Sequence, residues 1–152
     1  MDIRKANSDE VQECEAVLRA AFDGFVRRLG RNLREDAYSG LPDEVSEARV
    51  LVAIDQSSIR GVAIYSLVDN SWNIDQVAVR PVDQGRGVGS ALIERISSDA
   101  KAMGVATLRL DTVEFMSDLL RLYRRHGFEV AEKGLPKHGR DNFMRVFMRK
   151  NI

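Results

Sequence analysis

The stretch VRPVDQGRGVGSALIERI (residues 79–96) places three glycines within five residues, directly before an amphipathic helix pattern. Gly85, Gly87 and Gly89 carry no Cβ atom and tolerate positive φ, so a ligand can approach their backbone closely. A helix N-terminus offers unpaired N–H groups and about half a positive charge, which makes phosphate the natural occupant. Arg86 adds a cation that can contact a phosphate oxygen. The alternative interpretation is an ordinary flexible turn between a strand and a helix.

Two well-known phosphate-binding loops fit this stretch poorly. The Walker A loop requires GxxxxGK[ST], and no lysine follows these glycines. The dinucleotide fingerprint GxGxxG is closer, because only its third glycine falls one residue early, and Asp111 lies about where a ribose-binding acid belongs. That fingerprint opens a parallel βαβαβ unit, however, whereas hairpin-linked strands precede these glycines. The sequence therefore disfavours a dinucleotide-binding fold.

Composition predicts one domain over residues 1–152. The 152-residue chain is 44% hydrophobic, enough to fill a single core. Lysine plus arginine and aspartate plus glutamate each number 23, so we expect no bulk attraction to nucleic acid or to an anionic membrane. The single cysteine, Cys14, cannot form an internal disulfide, and His126 and His138 are too few for a metal site. With no signal peptide or membrane-spanning run, a cytoplasmic protein without a bound metal is expected.

The pattern of apolar residues predicts a mixed α/β fold. Short turns between the middle strands permit only antiparallel neighbours. Arginines 27, 28, 31 and 34 form a cluster that is either an anion site or, as the pattern favours, a solvated helix face. Ser8 is predicted to cap the first helix. The predicted strands are 2–6, 49–54, 59–68, 71–79, 106–113, 128–132 and 142–150; the predicted helices are 8–22, a short one within 23–49, 90–104 and 117–127.

The glycine stretch and its surroundings resemble the GNAT superfamily of N-acetyltransferases. QGRGVG (84–89) has the form Q/R-x-x-G-x-G, which is similar to the family's acetyl-CoA pyrophosphate loop. Residues 74–96 resemble its fourth strand, loop and third helix, while LYRRHGFEV (122–130) resembles its second signature. The resemblance covers essentially the whole chain, and it implies the order β-α-α-β-β-β-α-β-α-β-β. It also implies a mostly antiparallel sheet, flanked by helices, that splays between the fourth and fifth strands.

The resemblance implies how acetyl-CoA binds. The backbone of the fourth strand would pair with pantetheine, and the glycine loop would hold the pyrophosphate. The family often has an asparagine where this chain has Met116, and the adjacent Ser117 is expected to replace it in part. The implied cofactor-binding residues are Val77, Ala78, Val79, Gln84, Gly85, Arg86, Gly87, Val88, Gly89, Ser90, Ser117 and Tyr123.

The implied reaction is direct attack of an amine on the thioester, with the Val77 N–H stabilising the oxyanion. Tyrosine ionises near pH 10 and a thiol near 8.5, so Tyr123 can protonate the leaving thiolate. Without the resemblance, Tyr123 is better explained as a core residue. Asp75 is expected to share a strand face with Asn73 and Val77, which makes it the nearest candidate base, directly or through water. A water alone, or no dedicated base, is equally open.

The sequence leaves the acceptor and the assembly open. Any small-molecule or peptide amine fits the pattern, because residues 23–49, which shape the acceptor groove in the family, match it only in role. Dimers are common in such families, which favours a homodimer. A protein of another class, a catalytically silent module that binds acyl-CoA, is the second hypothesis.

Overall fold

The computed structural model describes residues 1–152, which form one seven-stranded sheet with helices on both faces. Two short 3₁₀ turns, at residues 8–10 and 81–83, precede the first and third helices. The strands are β1 (Asp2–Lys5), β2 (Val50–Asp55), β3 (Ser58–Val68), β4 (Ser71–Val79), β5 (Thr107–Val113), β6 (Glu129–Gly134) and β7 (Arg145–Asn151). The helices are α1 (Val11–Arg28), α2 (Leu41–Ser46), α3 (Val88–Ala102) and α4 (Ser117–Arg125).

The strand order in the sheet is β1-β2-β3-β4-β5-β7-β6, and every neighbouring pair is antiparallel except β4 and β5. Tight turns link β2 to β3 and β3 to β4, which allows only antiparallel pairing. The parallel step from β4 to β5 needs a crossover, and α3 supplies it. The predicted order of elements and the predicted mixed sheet are confirmed.

Two hydrophobic cores hold the helices against the sheet. A cluster of 17 buried residues joins α3 and α4 to one face, with Leu92, Ile93 and Ile96 of α3 fully buried. A second cluster of 13 buried residues joins α1 and α2 to the other face. Each side of the sheet is therefore covered, and the strands bury apolar residues on both faces.

Several helix boundaries differ from those predicted. Ser8 lies in the 3₁₀ turn and does not cap α1; the Glu10 side chain instead accepts a hydrogen bond from the Asn7 N–H at 2.7 Å. Helix α1 continues through Gly24 to Arg28, because a single glycine costs a helix only about 1 kcal/mol. Helix α3 ends at Ala102, two residues before the predicted end, and Met103 just beyond it is 74% exposed.

The sheet opens between β4 and β5, as the resemblance implied. Only residues 71–73 of β4 pair with β5, at residues 107–109. A β-bulge interrupts the pairing of β3 with β4, because Ile64 lies opposite Gln76 while Tyr65 lies opposite Ile74. Asp75 is therefore the extra residue of the bulge. Beyond it, β4 keeps β3 as a neighbour and leaves its other edge free.

Candidate active site

A cavity of about 1320 Å³ lies where β4 and β5 part. Its walls come from α1 and the segment that follows it, from β4, from the glycine loop, from β5 and α4, and from the β6–β7 connection. Ten of the residues implied by the resemblance line it. These are Asp75, Val77, Val79, Gln84, Gly85, Gly87, Val88, Gly89, Ser90 and Tyr123.

The free edge of β4 presents the backbone of Val77 and Val79. The Arg80 N–H donates to the Arg60 carbonyl at 3.0 Å, so Arg80 faces β3. Backbone groups alternate along a strand, which turns Ala78 toward β3 and Val77 and Val79 toward the opening. Ala78 is buried in the second core and does not line the cavity.

The glycine loop carries a run of unpaired donors. No backbone N–H of residues 85–90 makes a hydrogen bond to another backbone group, and the first to do so is that of Ala91, to the Gly87 carbonyl at 3.0 Å. Gly85 (φ 79°) and Gly87 (φ 84°) are left-handed, and no atom would lie within 4 Å of a Cβ at either position. The loop and the first turn of α3 thus form an open cradle for an anion.

Gly89 differs from the other two glycines of this loop. Its φ is not positive, contrary to expectation, because it already belongs to α3, which begins at Val88 and not at Ser90. A Cβ at Gly89 would lie 3.6 Å from Val79 Cγ2. That is an ordinary van der Waals distance, so neither left-handed backbone nor packing against β4 requires glycine at position 89.

Side chains around the loop fix its position. The Gln84 amide donates to the Val79 carbonyl at 3.2 Å, which ties the loop to the free edge of β4. The Ser90 hydroxyl lies 2.9 Å from His126 Nε2, joining the start of α3 to the end of α4. Burial lowers the pKa of His126, which favours its neutral form. Arg86 is 73% exposed, lies 3.9 Å from Asp83, and does not line the cavity.

Tyr123 projects from α4 into the same cavity. It is 8% exposed, and its ring packs edge-to-face against Phe128 with centroids 6.1 Å apart. Burial, and secondarily the negative charge of Asp111, raises the pKa of Tyr123 to about 12. The phenol therefore stays protonated at neutral pH and can donate a hydrogen bond inside the cavity.

Asp75, the predicted base, lies on the bulge of β4. Its Oδ1 accepts hydrogen bonds from the Ser66 hydroxyl at 2.9 Å and from the Asn73 amide at 2.6 Å. Val77 packs against the first core, on the other face of the sheet. The predicted common face of Asn73, Asp75 and Val77 is therefore wrong for Val77, because the extra residue shifts the alternation.

Asp111, at the open end of β5, is a second carboxylate of the cavity. Asp111 is exposed, yet partial desolvation raises its pKa and so does the charge of Asp75, while Arg145 and His138 act in the opposite direction. Sequence reasoning considered Asp111 only for a dinucleotide site. The sequence signal for a role in the site was a charged residue within the alternating apolar pattern of the strand that follows α3.

Comparison with known proteins identifies the family. The acetyltransferase (GNAT) domain model matches residues 46–130, more than half of the chain. The chain belongs to the GNAT acetyltransferase family. This membership confirms the family resemblance that the glycine loop indicated.

Two curated relatives show how far the GNAT likeness extends in sequence. The IAA acetyltransferase of Azospirillum brasilense is 33% identical over 90 residues, which are 58% of each protein. The streptothricin acetyltransferase of Streptomyces lavendulae is 28% identical over 98 residues, which are 61% of this chain and 51% of that protein. The chain thus spans about half the length of the curated relatives it matches.

Solved GNAT structures show the same fold over the full chain. Ard1 from Thermoplasma volcanium superposes with a TM-score of 0.81 at 19% identity, covering 99% of this chain and 97% of its own. The PaiA N-acetyltransferase of Thermoplasma acidophilum, solved in complex with coenzyme A, has a TM-score of 0.74 at 17% identity, with coverages of 99% and 98%. At these identities the likeness establishes the fold alone.

The start of α4 departs from the usual GNAT pattern. Met116 lines the cavity, and its sulfur accepts a hydrogen bond from Arg28 Nη1 at 3.1 Å. The Arg28 guanidinium also lies 4.8 Å from the centroid of the Phe115 ring. Ser117, expected to replace the family asparagine in part, is exposed and does not line the cavity.

The arginine cluster is only in part the predicted solvated face. Arg27 is 67% exposed and pairs with Asp23 at 3.1 Å. Arg28 and Arg34 are exposed as well, but together with the half-buried Arg31 they line the cavity. No group of three or more histidine, cysteine, aspartate or glutamate side chains is arranged to hold a metal ion. None of the helices has both the length and the apolar character needed to cross a bilayer.

Proposed function

We propose that residues 1–152 form a single N-acetyltransferase domain that transfers the acetyl group of acetyl-CoA to a primary amine. The observation that carries this proposal is the run of unpaired N–H groups at residues 85–90. These donors lie at the mouth of the cavity that also holds the free edge of β4 and the protonated Tyr123. An anion seat, a free strand edge and a buried acid in one cavity suit a long phosphorylated thioester.

The free edge of β4 supports binding of pantetheine as an added strand. The amides of such a ligand can pair with the outward-facing backbone of Val77 and Val79, as peptides do when they extend a sheet. The Val77 N–H is then the donor available to the thioester oxygen as charge develops on it. The seat for the pyrophosphate is the cradle at residues 85–90, to which Arg86 adds a solvent-exposed charge. Ala78 contributes by holding β4 against β3.

Tyr123 is proposed to assist departure of the thiolate. Complete proton transfer from a phenol of pKa about 12 to a thiolate of pKa about 8.5 is uphill by roughly 5 kcal/mol. Tyr123 therefore acts first as a hydrogen-bond donor to the sulfur as the carbon–sulfur bond breaks. The attacking nitrogen loses one proton and the thiolate finally gains one, so the overall reaction needs no added acid or base.

Two carboxylates are available to receive the proton of the incoming ammonium. Asp75 remains the proposed base, although two hydrogen bonds already engage one of its oxygens. Asp111 competes with it, because its raised pKa makes its ionised form a better proton acceptor than an ordinary aspartate carboxylate. Either can act through a water, since both line the same cavity.

The acceptor is proposed to be a small-molecule or peptide amine, in a cytoplasmic protein that forms a homodimer. The names of the similar proteins differ in the acceptor they specify, so they do not choose one for this chain. We propose that the protein has no nucleic-acid or membrane partner, because its positive and negative charges balance. We also propose that it uses no metal.

Release of coenzyme A thiol from acetyl-CoA across a panel of amines tests the proposed function. Amine-dependent release, with the acetylated amine found by mass spectrometry, is the expected result. Binding of acetyl-CoA without transfer to any amine would instead support the silent acyl-CoA-binding module. Absence of binding would refute both hypotheses.

A further inference from the structure

Side chains of both charges line the cavity. Asp75 and Asp111 lie at the parting of β4 and β5, on the same wall as Tyr123. The end of α1 and the segment after it, the β6–β7 connection and the start of β7 contribute a basic wall, whose members that line the cavity are Arg28, Arg31, Arg34, Arg140 and Arg145. The chain as a whole has no net charge, so this arrangement is a local property of the cavity.

Three arginines of this wall, Arg31, Arg140 and Arg145, have a single carboxylate partner among them. Arg145 is buried and holds Asp141 through two hydrogen bonds of 3.0 Å. Arg31 lies 3.3 Å from the same carboxylate, which also accepts the Phe143 N–H at 3.0 Å. Asp141 therefore serves two guanidinium groups at once. The Arg140 side chain, on the same wall, makes no ion pair within the protein.

Arg31 also has an unused donor. Its Nε is buried and has no hydrogen-bond partner, while its side chain lines the cavity. The Arg31 guanidinium is thus incompletely hydrogen-bonded within the protein, which favours a ligand with anionic oxygens beside it. The other arginines of the wall are occupied: Arg34 pairs with Asp36 at 3.2 Å, and Arg28 stacks on Phe115.

His138 reports the same positive environment. Desolvation lowers its pKa, and the charges of Arg145, Arg31 and Arg140 lower it further, while Asp141 opposes them. Three guanidinium groups thus act on one exposed loop residue that lines the cavity. A group with anionic oxygens suits this place, because guanidinium groups bind carboxylate and phosphate through paired hydrogen bonds.

We propose that the acceptor is an amine that also carries an anionic oxygen group, a carboxylate or a phosphate. Its amino group lies beside the carboxylates of Asp75 and Asp111, and its anionic group lies on the guanidinium groups of Arg31 and Arg140. This inference rests on the proposed N-acetyltransferase function and adds the substrate class. The carboxylates and the guanidinium groups orient such a molecule, with its nitrogen toward the thioester.

Matched pairs of acceptors test the inference directly. Amino acids are compared with their amides, and phosphoethanolamine with ethanolamine, by thiol release from acetyl-CoA. We expect the anionic member of at least one pair to have a kcat/KM at least about tenfold higher, the usual effect of a charged hydrogen-bonded pair. The amino acid and phosphoethanolamine arms distinguish carboxylate from phosphate.

Variants of the basic wall test which residues carry the preference. Arg31→Gln and Arg140→Gln should each raise the KM of the anionic acceptor about tenfold and leave the KM of its neutral partner unchanged. Arg31→Lys should restore part of the loss, because it keeps the charge. Arg27→Gln is the control, since Arg27 is exposed on α1 and does not line the cavity.

The outcomes separate this inference from the proposed function. Equal or better acetylation of the neutral members overturns the inference and leaves the function standing. The same holds if a protein that binds acetyl-CoA turns over neither member of any pair. Failure to bind acetyl-CoA overturns the function itself. A preference that survives in both Arg31→Gln and Arg140→Gln also overturns the inference.

Discussion

Tyr123 has two roles at the scale of the single residue, and they involve different parts of the side chain. Its ring contributes to the first core and packs on Phe128. Its hydroxyl belongs to the cavity, where burial and Asp111 raise its pKa to about 12. Removal of the hydroxyl alone therefore tests the proposed chemistry without removing the packing.

Tyr123→Phe should lower kcat by about 10²-fold, the usual cost of removing one hydrogen-bond donor aimed at charge that develops in the transition state. The KM for acetyl-CoA should change little, because the donated hydrogen bond strengthens only as the thiolate forms. Tyr65→Phe is the matched control: Tyr65 is also buried, but its hydroxyl contacts Lys5 and donates to the Ala48 carbonyl at 3.2 Å, away from the cavity. Full turnover by a folded Tyr123→Phe variant would leave Tyr123 as a core residue only.

Asp111→Asn should stabilise the protein while slowing the reaction. The pKa of Asp111 is raised in the folded state, so the folded state binds its proton more tightly than the unfolded state does. Stability from this group is present at low pH and is lost as the pH rises from about 4 through the raised pKa. The gain in Tm from the substitution should therefore be absent near pH 3 and present at pH 7.

Thermal unfolding between pH 3 and pH 8 measures this difference, with the exposed Asp55→Asn as the control. A Tm gain for Asp111→Asn that does not depend on pH would contradict the assignment. Asp111→Asn also tests whether Asp111 or Asp75 is the base. A loss of kcat/KM larger than that of Asp75→Asn would favour Asp111, and the reverse order would favour Asp75.

At the scale of the elements, the glycine loop and α3 act as one unit. Gly87 is the N-cap of α3 in a left-handed conformation, with φ at 84°. At the other end of the helix, Gly104 has nearly the same conformation, with φ at 75°, and space for a Cβ around it. The two positions therefore impose similar backbone strain on any other residue, but only Gly87 lines the cavity.

Gly87→Ala and Gly104→Ala should each lower the free energy of unfolding by about 1–2 kcal/mol. Only Gly87→Ala should also weaken acetyl-CoA binding, because it disturbs the donors of residues 85–90. Calorimetric titration with acetyl-CoA and chemical denaturation of both variants provide the comparison. Equal affinities in the two variants would contradict the phosphate-loop assignment and favour an ordinary turn.

The elements also show how far the sequence could predict this structure. Local signals such as short turns, alternating strands and the Gly85–Gly87 loop were enough for the order of elements and for the position of the glycine loop before α3. The bulge at Asp75 could not be predicted, because it depends on how β3 and β4 pair and not on local propensity. The inward position of Arg31 likewise depends on Asp141, which is 110 residues away in the chain.

At the scale of the whole molecule, the sheet has a hydrophobic core on each face and opens between β4 and β5. Helices α3 and α4 cover one face, where the cradle and Tyr123 lie; α1 and α2 cover the other, from which the arginines enter. A ligand that fills the opening between β4 and β5 contacts both halves of the sheet. Its binding energy therefore adds to the stability of the whole fold.

Acetyl-CoA should raise the Tm of the protein as a single cooperative transition. At a concentration one hundred times its Kd, a ligand that binds only the folded state adds about 2.7 kcal/mol. For a chain of this size that corresponds to a rise of about 5–10 °C. Far-ultraviolet circular dichroism and tryptophan fluorescence should report the same midpoint, because Trp72 lies in the first core and one domain is proposed.

Gly87→Ala supplies the control for this whole-molecule effect. Its Tm without ligand should fall as that of Gly104→Ala does, yet its rise with acetyl-CoA should be much smaller, because the anion seat is damaged and the rest of the fold is intact. Two separate transitions in the unliganded protein would contradict the single domain of residues 1–152. An equal rise in Tm for Gly87→Ala and for the unaltered protein would show that acetyl-CoA binds elsewhere than on the glycine loop.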